Sequence, residues 1–154
     1  MRRRYLQFNH DYAQLLAMQR RSYLLNFPGQ ELQEQWFRSA LQAAESDKRI
    51  WVYVQDGSII GWLWLDRAEL GVLHITHVQV QEDRWGQGIG RKIMHDAVIM
   101  AKRSGLGAIT LNVTKTNDRA AKLYRDLGYV MLEDYGDRQL MRLGLEPMAP
   151  DSSG

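Results

Sequence analysis

Three glycines at every second position, Gly86, Gly88 and Gly90, separate a charged turn (Glu82, Asp83, Arg84) from an amphipathic run. Glycine accepts positive φ and lets a ligand approach the backbone with no Cβ in the way. Upstream, Val78 and Val80 alternate as the end of a strand. Downstream, Ile89, Ile93, Met94, Ala97, Val98 and Ala101 recur at the spacing of one helix face. A strand that runs through a glycine loop into a helix aims free backbone N–H groups and the positive end of the helix dipole at one point. That arrangement suits a phosphate or pyrophosphate. Arg84, Arg91 and Lys92 bracket the loop and offer charge-assisted contacts. A cation in a first helical turn is mildly unfavourable to the dipole, so Arg91 makes more sense with an anion beside it. The predicted chemistry is capture of an anionic cofactor.

Two familiar glycine loops do not fit. A dinucleotide site needs Gly-x-Gly-x-x-Gly after the first strand of a βαβ unit, with an acid about twenty residues on. Here the spacing is Gly-x-Gly-x-Gly, in mid-chain. A nucleotide-binding P-loop needs Gly-Lys-Ser/Thr, whereas Gly90 precedes Arg91-Lys92-Ile93.

The elements that must hold this loop are readable along the chain. Tyr5, Leu6 and Phe8 suggest a first strand, and Asp11 is a plausible N-cap for a helix carrying Tyr12, Leu15, Leu16 and Met18. After the break Asn26-Phe27-Pro28-Gly29, a second helix carries Leu32, Trp36, Phe37, Ala40, Leu41 and Ala44. Residues 50–54 and 59–65 flank Asp56-Gly57, the strongest hairpin signal in the chain. A strand over 72–80 feeds the glycine loop. Residues 108–113 form another strand, Asn117 opens a helix that Gly128 closes, and residues 129–132 and 140–143 read as a closing pair. The order is β-α-α-β-β-β-α-β-α-β-β. Short turns imply antiparallel pairing in the first half, and the strand–helix–strand unit over 72–113 implies a parallel, right-handed crossover. The expected class is α+β: a single mixed, mostly antiparallel central sheet flanked by helices, in one domain over 1–146 with a flexible tail over 147–154.

Composition narrows the partners. The chain has 154 residues, is 45% hydrophobic and 25% charged, and carries a formal net charge of +2, as an ordinary soluble domain does. Basic residues are dispersed apart from Arg2-Arg3-Arg4, so nucleic acid is not strongly indicated. That triplet is not followed by a signal-peptide core, and no run approaches the ~20 apolar residues of a membrane span. With no cysteine there is no disulfide, thiolate metal site or cysteine nucleophile. No His/Asp/Glu cluster has metal-ligand spacing. The expectation is a cytoplasmic protein with no membrane partner and no metal.

The sequence resembles the GCN5-related N-acetyltransferase (GNAT) superfamily. The family's cofactor loop, Arg/Gln-x-x-Gly-x-Gly/Ala, corresponds to Trp85-Gly86-Gln87-Gly88-Ile89-Gly90. Its Asn-x-x-Ala-x-x-x-Tyr block corresponds to Asn117-Asp118-Arg119-Ala120-Ala121-Lys122-Leu123-Tyr124, followed by Gly128-Tyr129. The element order also agrees, over about residues 4–145. One departure is Trp85, where the family usually has Arg or Gln, with Arg84 one position earlier; Arg84 compensates from a shifted register, or Trp85 covers the adenosine end.

The resemblance implies acetyl-CoA as co-substrate and direct transfer of its acetyl group to an amine, either a peptide N-terminus or a small amine. A non-catalytic acyl-CoA sensor is the alternative. The cofactor would lie on Val78, Val80, Arg84, Trp85, Gly86, Gln87, Gly88, Ile89, Gly90, Arg91, Asn117 and Tyr124, with Val78 and Val80 acting through their backbone. Tyr124 would protonate the departing thiolate, as a phenol of pKa ~10 stays protonated at neutral pH. Many members have a glutamate base where this chain has His74 and Asn112. His74 is the candidate base, through a water, and His77 the lesser one, their ordinary pKa near ~6.5 suiting the task; a water chain with no single base is the alternative to both. Tyr23, Phe27, Trp36, Phe37, Trp62 and Trp64 are candidates for the acceptor site or simply for the core. Glu31, Glu34, Glu133 and Asp134 are candidate attractors of a cationic amine or scattered surface acids. Dimers are common in the family, so a homodimer is possible, though no sequence stripe marks its interface.

Overall fold

The computed structural model describes residues 1–66 and 68–146; the expected tail over 147–154 lies outside them. Seven strands form one mixed sheet in the order β1-β2-β3-β4-β5-β7-β6, with four helices flanking it. The elements are β1 (Arg2–Tyr5), α1 (Phe8–Asn26), α2 (Glu34–Ser46), β2 (Ile50–Gln55), β3 (Ser58–Leu65), β4 (Val72–Val80), a 3-10 turn (Glu82–Arg84), α3 (Ile89–Arg103), β5 (Ala108–Thr114), α4 (Asp118–Asp126), β6 (Val130–Asp134) and β7 (Arg138–Gly144). This is the expected order. The chain divides into two compact units, Met1–Trp64 with His77–Gly90, and Leu65–Thr76 with the residues from Arg91 onward.

In the first unit, Asp56 and Gly57 have φ of 52° and 80° between the paired residues Gln55 and Ser58. Two consecutive positive φ values make the type I′ turn that joins twisted antiparallel strands. Ile50, Val52 and Val54 of β2 pack with Trp62 and Trp64 of β3 against Leu15, Leu16 and Met18 of α1 and Phe37 and Leu41 of α2. Beyond Ser58, β3 is buried at every residue, so both of its faces are covered. A bulge near Ile60 shifts the β2–β3 register. The first helix starts earlier than expected. It begins at Phe8, whose N–H donates to Glu45 Oε2 at 2.6 Å, and Gln7 holds the N-cap position without a side-chain bond. Asp11 is therefore inside the first turn, and Phe8 belongs to the helix rather than to the first strand. Asp11 is fully buried, accepting from both Arg4 Nη atoms at 2.7 and 2.9 Å and from the Gln7 N–H at 2.8 Å. A carboxylate that reaches back to the N-terminal amides satisfies the helix as a cap would.

In the second unit, β4 and β5 pair in parallel from Val72↔Ala108 to Ile75↔Leu111, the expected crossover. The strand β7 lies antiparallel to both β5 and β6. Ile93, Met94, Ala97 and Ala101 form the buried face of α3, which ends in a Schellman motif: Leu106 N–H donates to the Ala101 carbonyl, Gly105 N–H to that of Lys102, and Gly105 has φ +73°. Helix α4 ends the same way, with Tyr129 N–H on Tyr124, Gly128 N–H on Arg125, and Gly128 at φ +97°. That motif sets the Tyr124 and Tyr129 rings 5.9 Å apart.

Candidate cofactor-binding and catalytic site

The glycine loop is built within the first unit. The bulge in β3 leaves the Ile60 carbonyl to accept the Gln81 N–H at 2.9 Å, which fixes where the chain leaves β4. One 3-10 turn follows, closed by Arg84 N–H on the Gln81 carbonyl. Arg84 Nη1 donates to Gln55 Oε1 at 3.0 Å, at the end of the β2–β3 hairpin. Arg21 of α1 forms an ion pair with Glu82. The Trp85 indole turns back and donates to the Val80 carbonyl at 3.0 Å, leaving the residue 38% exposed. In place of the family's Arg or Gln, this chain has an indole that braces the loop against its own strand.

Gly86 and Gly88 have φ of +83° and +79°, and Gln87 between them does not. Alternating signs turn successive N–H groups toward one side and form a nest for an anion. A Cβ at either glycine would meet no protein atom within 4 Å. Packing therefore does not require glycine there; the backbone angle does, and the space beside it is open. Among the described residues, the amides of residues 86–88 have no protein acceptor. Ile89 and Gly90 begin α3, whose first-turn N–H groups are orphans by geometry. The segment from Val78 to Gly90 thus brings nine of the candidate cofactor residues into one structure. Gln79, Gln81, Gln55 and Arg21, which hold this segment, carry no sequence signal, because the contacts by which they tie it to α1 and to the β2–β3 hairpin lie 17–61 residues away.

The remaining candidates belong to the second unit. Arg91 is exposed in the first turn of α3, with no carboxylate partner among the described residues; Lys92 Nζ instead lies 3.8 Å from Asp96. Asn117 is the N-cap of α4, its Oδ1 accepting the Ala120 N–H at 3.2 Å. Tyr124 is 6% exposed, and burial pushes its phenol well above its ordinary pKa. The proton is thus retained until negative charge develops next to it. His74 Nδ1 is 2.8 Å from the Thr110 hydroxyl across the parallel ladder. Burial lowers its pKa, with Asp66 opposing. His77, on the opposite face of β4 by strand alternation and in the first unit, is depressed by burial to about 4, with Gln79 opposing. Both imidazoles are neutral at pH 7.

Phe37, Trp62 and Trp64 are core, and the Tyr23 ring lies tilted against Phe27 with centroids 5.0 Å apart. Trp36, at 63% exposure, is the one large hydrophobic side chain of α2 turned out to solvent. Three of the candidate acids have partners: Glu34 with Arg20, Asp134 with Lys115, and Glu133 with the Tyr135 hydroxyl. Among the described residues no group of His, Asp and Glu could hold a metal, and no helix is long and apolar enough to cross a membrane.

A mixed sheet whose fourth strand delivers a glycine nest to a helix N-terminus is the fold of the acyl-CoA N-acyltransferases. The model of the acetyltransferase (GNAT) family matches residues 12–129, and the chain belongs to that family. Streptothricin acetyltransferase of Streptomyces lavendulae is 32% identical over 90 residues, 57% of this chain. That stretch is 48% of the relative, so the chain spans about half the length of the curated protein it matches. Among solved structures, PaiA N-acetyltransferase of Thermoplasma acidophilum, in complex with coenzyme A, superposes with a TM-score of 0.77 at 18% identity, covering 93% of this chain and 98% of that one. YncA of Salmonella typhimurium, a putative acetyltransferase with acetyl-CoA, gives 0.74 at 20% identity and covers 99% and 98%. The ribosomal-protein-S18-alanine N-acetyltransferase of Escherichia coli gives 0.71 at 18% identity and covers 98% and 97%. At such identities the likeness is one of fold.

Proposed function

We propose that this protein is an acetyl-CoA-dependent N-acetyltransferase that transfers the acetyl group to a primary amine by direct attack. The observation that carries the reading is the nest at residues 86–88, with unsatisfied amides, open space and a helix N-terminus behind it. Pyrophosphate is the anion it takes, with Arg91 as an added cation. Asn117 contacts the pantetheine arm while capping α4, and the backbone of Val78 and Val80 lines the same arm. As Trp85 already holds the Val80 carbonyl, Val80 offers its N–H or a shared carbonyl.

Acetyl-CoA supplies the activated acyl group. The amine must arrive neutral; its nitrogen forms the new C–N bond as the C–S bond breaks. Tyr124 gives its proton to the departing sulfur; the surplus proton on nitrogen leaves through water, with His74 as the relay, and a proton from solvent restores the phenol. Burial keeps the proton on Tyr124 at any physiological pH but also makes the phenol a weaker acid, so donation waits until thiolate charge develops beside it. For the acceptor, the relative that acts on streptothricin favours a small amine over a peptide N-terminus. The test is thiol release from acetyl-CoA with pooled small amines and, separately, pooled peptides. Turnover with the small amines alone is expected. Turnover with peptides alone would reverse the acceptor assignment, and acetyl-CoA binding without turnover in either pool would make the protein a sensor.

A further inference from the structure

A polar cluster on β4, next to the cofactor loop, assigns a role that depends on the transferase reading above. The side chain of Gln79 lies between α1 and β3. Its Nε2 is 2.7 Å from the Met18 carbonyl, and its Oε1 is 3.2 Å from both Trp62 Nε1 and His77 Nε2. The hydrogen inventory leaves one solution. A backbone carbonyl only accepts, so the Gln79 amide nitrogen must face Met18. An indole N–H only donates, so the amide oxygen must face Trp62, as it does. That oxygen also faces His77 Nε2, and two acceptors cannot bond each other. His77 Nε2 therefore carries the proton, and Nδ1 carries the lone pair.

The ring is held in place as well as in tautomer. It packs on Trp62 with centroids 4.7 Å apart, Trp62 is fully buried, and His77 itself is half-buried. Its neighbours in this cluster bring no ionised group: Gln79 and Trp62 are neutral, and α1 presents a carbonyl. Burial keeps the imidazole uncharged at pH 7. A neutral, immobile lone pair recognises an N–H donor. His77 lies three residues before Val80, roughly 10 Å along the strand at ~3.3 Å per residue. Under the transferase reading, with the backbone of Val78 and Val80 lining the pantetheine arm, the thioester would lie on the His77 side of Val80.

We propose that His77 Nδ1 accepts a hydrogen bond from the incoming amine, with Gln79 as the positioning residue that locks the tautomer. The amine gives His77 a hydrogen bond, not a proton for keeping: the nitrogen lone pair stays free to attack, and the proton departs to water.

The first test needs no activity. Long-range ¹H–¹⁵N spectra of the ¹⁵N-histidine-labelled protein, assigned with His77→Gln, report which ring nitrogen is protonated. The Nε2–H form at pH 7 is expected; an Nδ1–H form or an imidazolium overturns the proposal. The second test compares two amides, because asparagine places its amide near Nδ1 and glutamine near Nε2. The probe is the best wild-type substrate among lysine, spermidine, an aminoglycoside and an alanyl peptide. His77→Asn should retain amine kcat/KM within a few-fold while His77→Gln loses tenfold or more, with acetyl-CoA affinity unchanged in both. Equal losses, or a larger loss in His77→Asn, overturn the proposal. Wild-type turnover tests the transferase reading, whereas the ratio of the two variants tests only this assignment.

Discussion

Replacing Gly88 with alanine separates the two reasons for a glycine in the loop. At φ +79° an alanine suffers the left-handed penalty of roughly 1–2 kcal/mol, whatever surrounds it. No protein atom lies within 4 Å of the added Cβ, so no packing clash adds to that cost. Gly57, in the β2–β3 turn, is the matched control: its φ is +80° and its Cβ position is equally empty. Gly57→Ala and Gly88→Ala should lose the same stability, a fall in Tm of about 2–8 °C for a chain of this size. Only Gly88→Ala should also weaken acetyl-CoA binding, because its Cβ enters the volume given to the pyrophosphate. Loss of two amide contacts to an anion, at about 1.5–3 kcal/mol each, corresponds to a rise in Kd of roughly a hundredfold or more. Thermal melts and calorimetric titration with acetyl-CoA provide both readouts. If Gly88→Ala binds acetyl-CoA as the wild type does, or Gly57→Ala loses as much affinity, the nest is not the phosphate site.

Three further outcomes follow from named contacts. Tyr124→Phe should lower kcat by 10²-fold or more while leaving the acetyl-CoA Kd within a few-fold, the signature of a lost acid rather than a lost contact; unchanged turnover would return Tyr124 to packing alone. Asn117→Ala removes the Ala120 N–H acceptor and should cost about 1 kcal/mol, read as the denaturant midpoint, with Asn117→Asp recovering most of it. Acid should destabilise the fold in two windows. His77 is neutral when folded and free to protonate when unfolded, so stability is lost as pH falls from about 6.5 toward 4. Burial pushes the Asp11 carboxyl up, but Arg4, His10 and the Gln7 N–H outweigh it and hold the pKa below its ordinary value. The stability it contributes is complete above about pH 4 and is lost as pH falls further. Chemical denaturation across pH should show the upper window vanish in His77→Gln and the lower one in Asp11→Asn.

What could be read from the sequence was what local chemistry determines. Asp56-Gly57, the Asn117 cap and Gly128 each impose their geometry within four residues, and all three were legible. The 72–80 strand and the glycine loop were legible for the same reason. The start of α1 was not, because it depends on Glu45, 37 residues away, supplying the Phe8 N–H with an acceptor, while Asp11 looks like a cap and acts one turn later. Nor could the sequence show that Trp85 braces Val80, that the β3 bulge anchors Gln81, or that Gln79 determines the His77 tautomer. Each rests on a side chain meeting a backbone group or ring that sequence distance does not encode. The aromatic candidates divided by tertiary packing: Phe37, Trp62 and Trp64 fill the core under α1 and α2, while Trp36 on the same helix as Phe37 faces solvent.

The most direct measurement is a single-turnover reaction with ¹³C-acetyl-labelled acetyl-CoA and the best amine of the panel, followed by NMR and by intact mass of the protein. Direct transfer predicts the label in an amide of the acceptor, appearing at the rate of thiol release, with no acetylated protein at any time. Label on the protein before the amine, or thiol release with no amide formed, would contradict it.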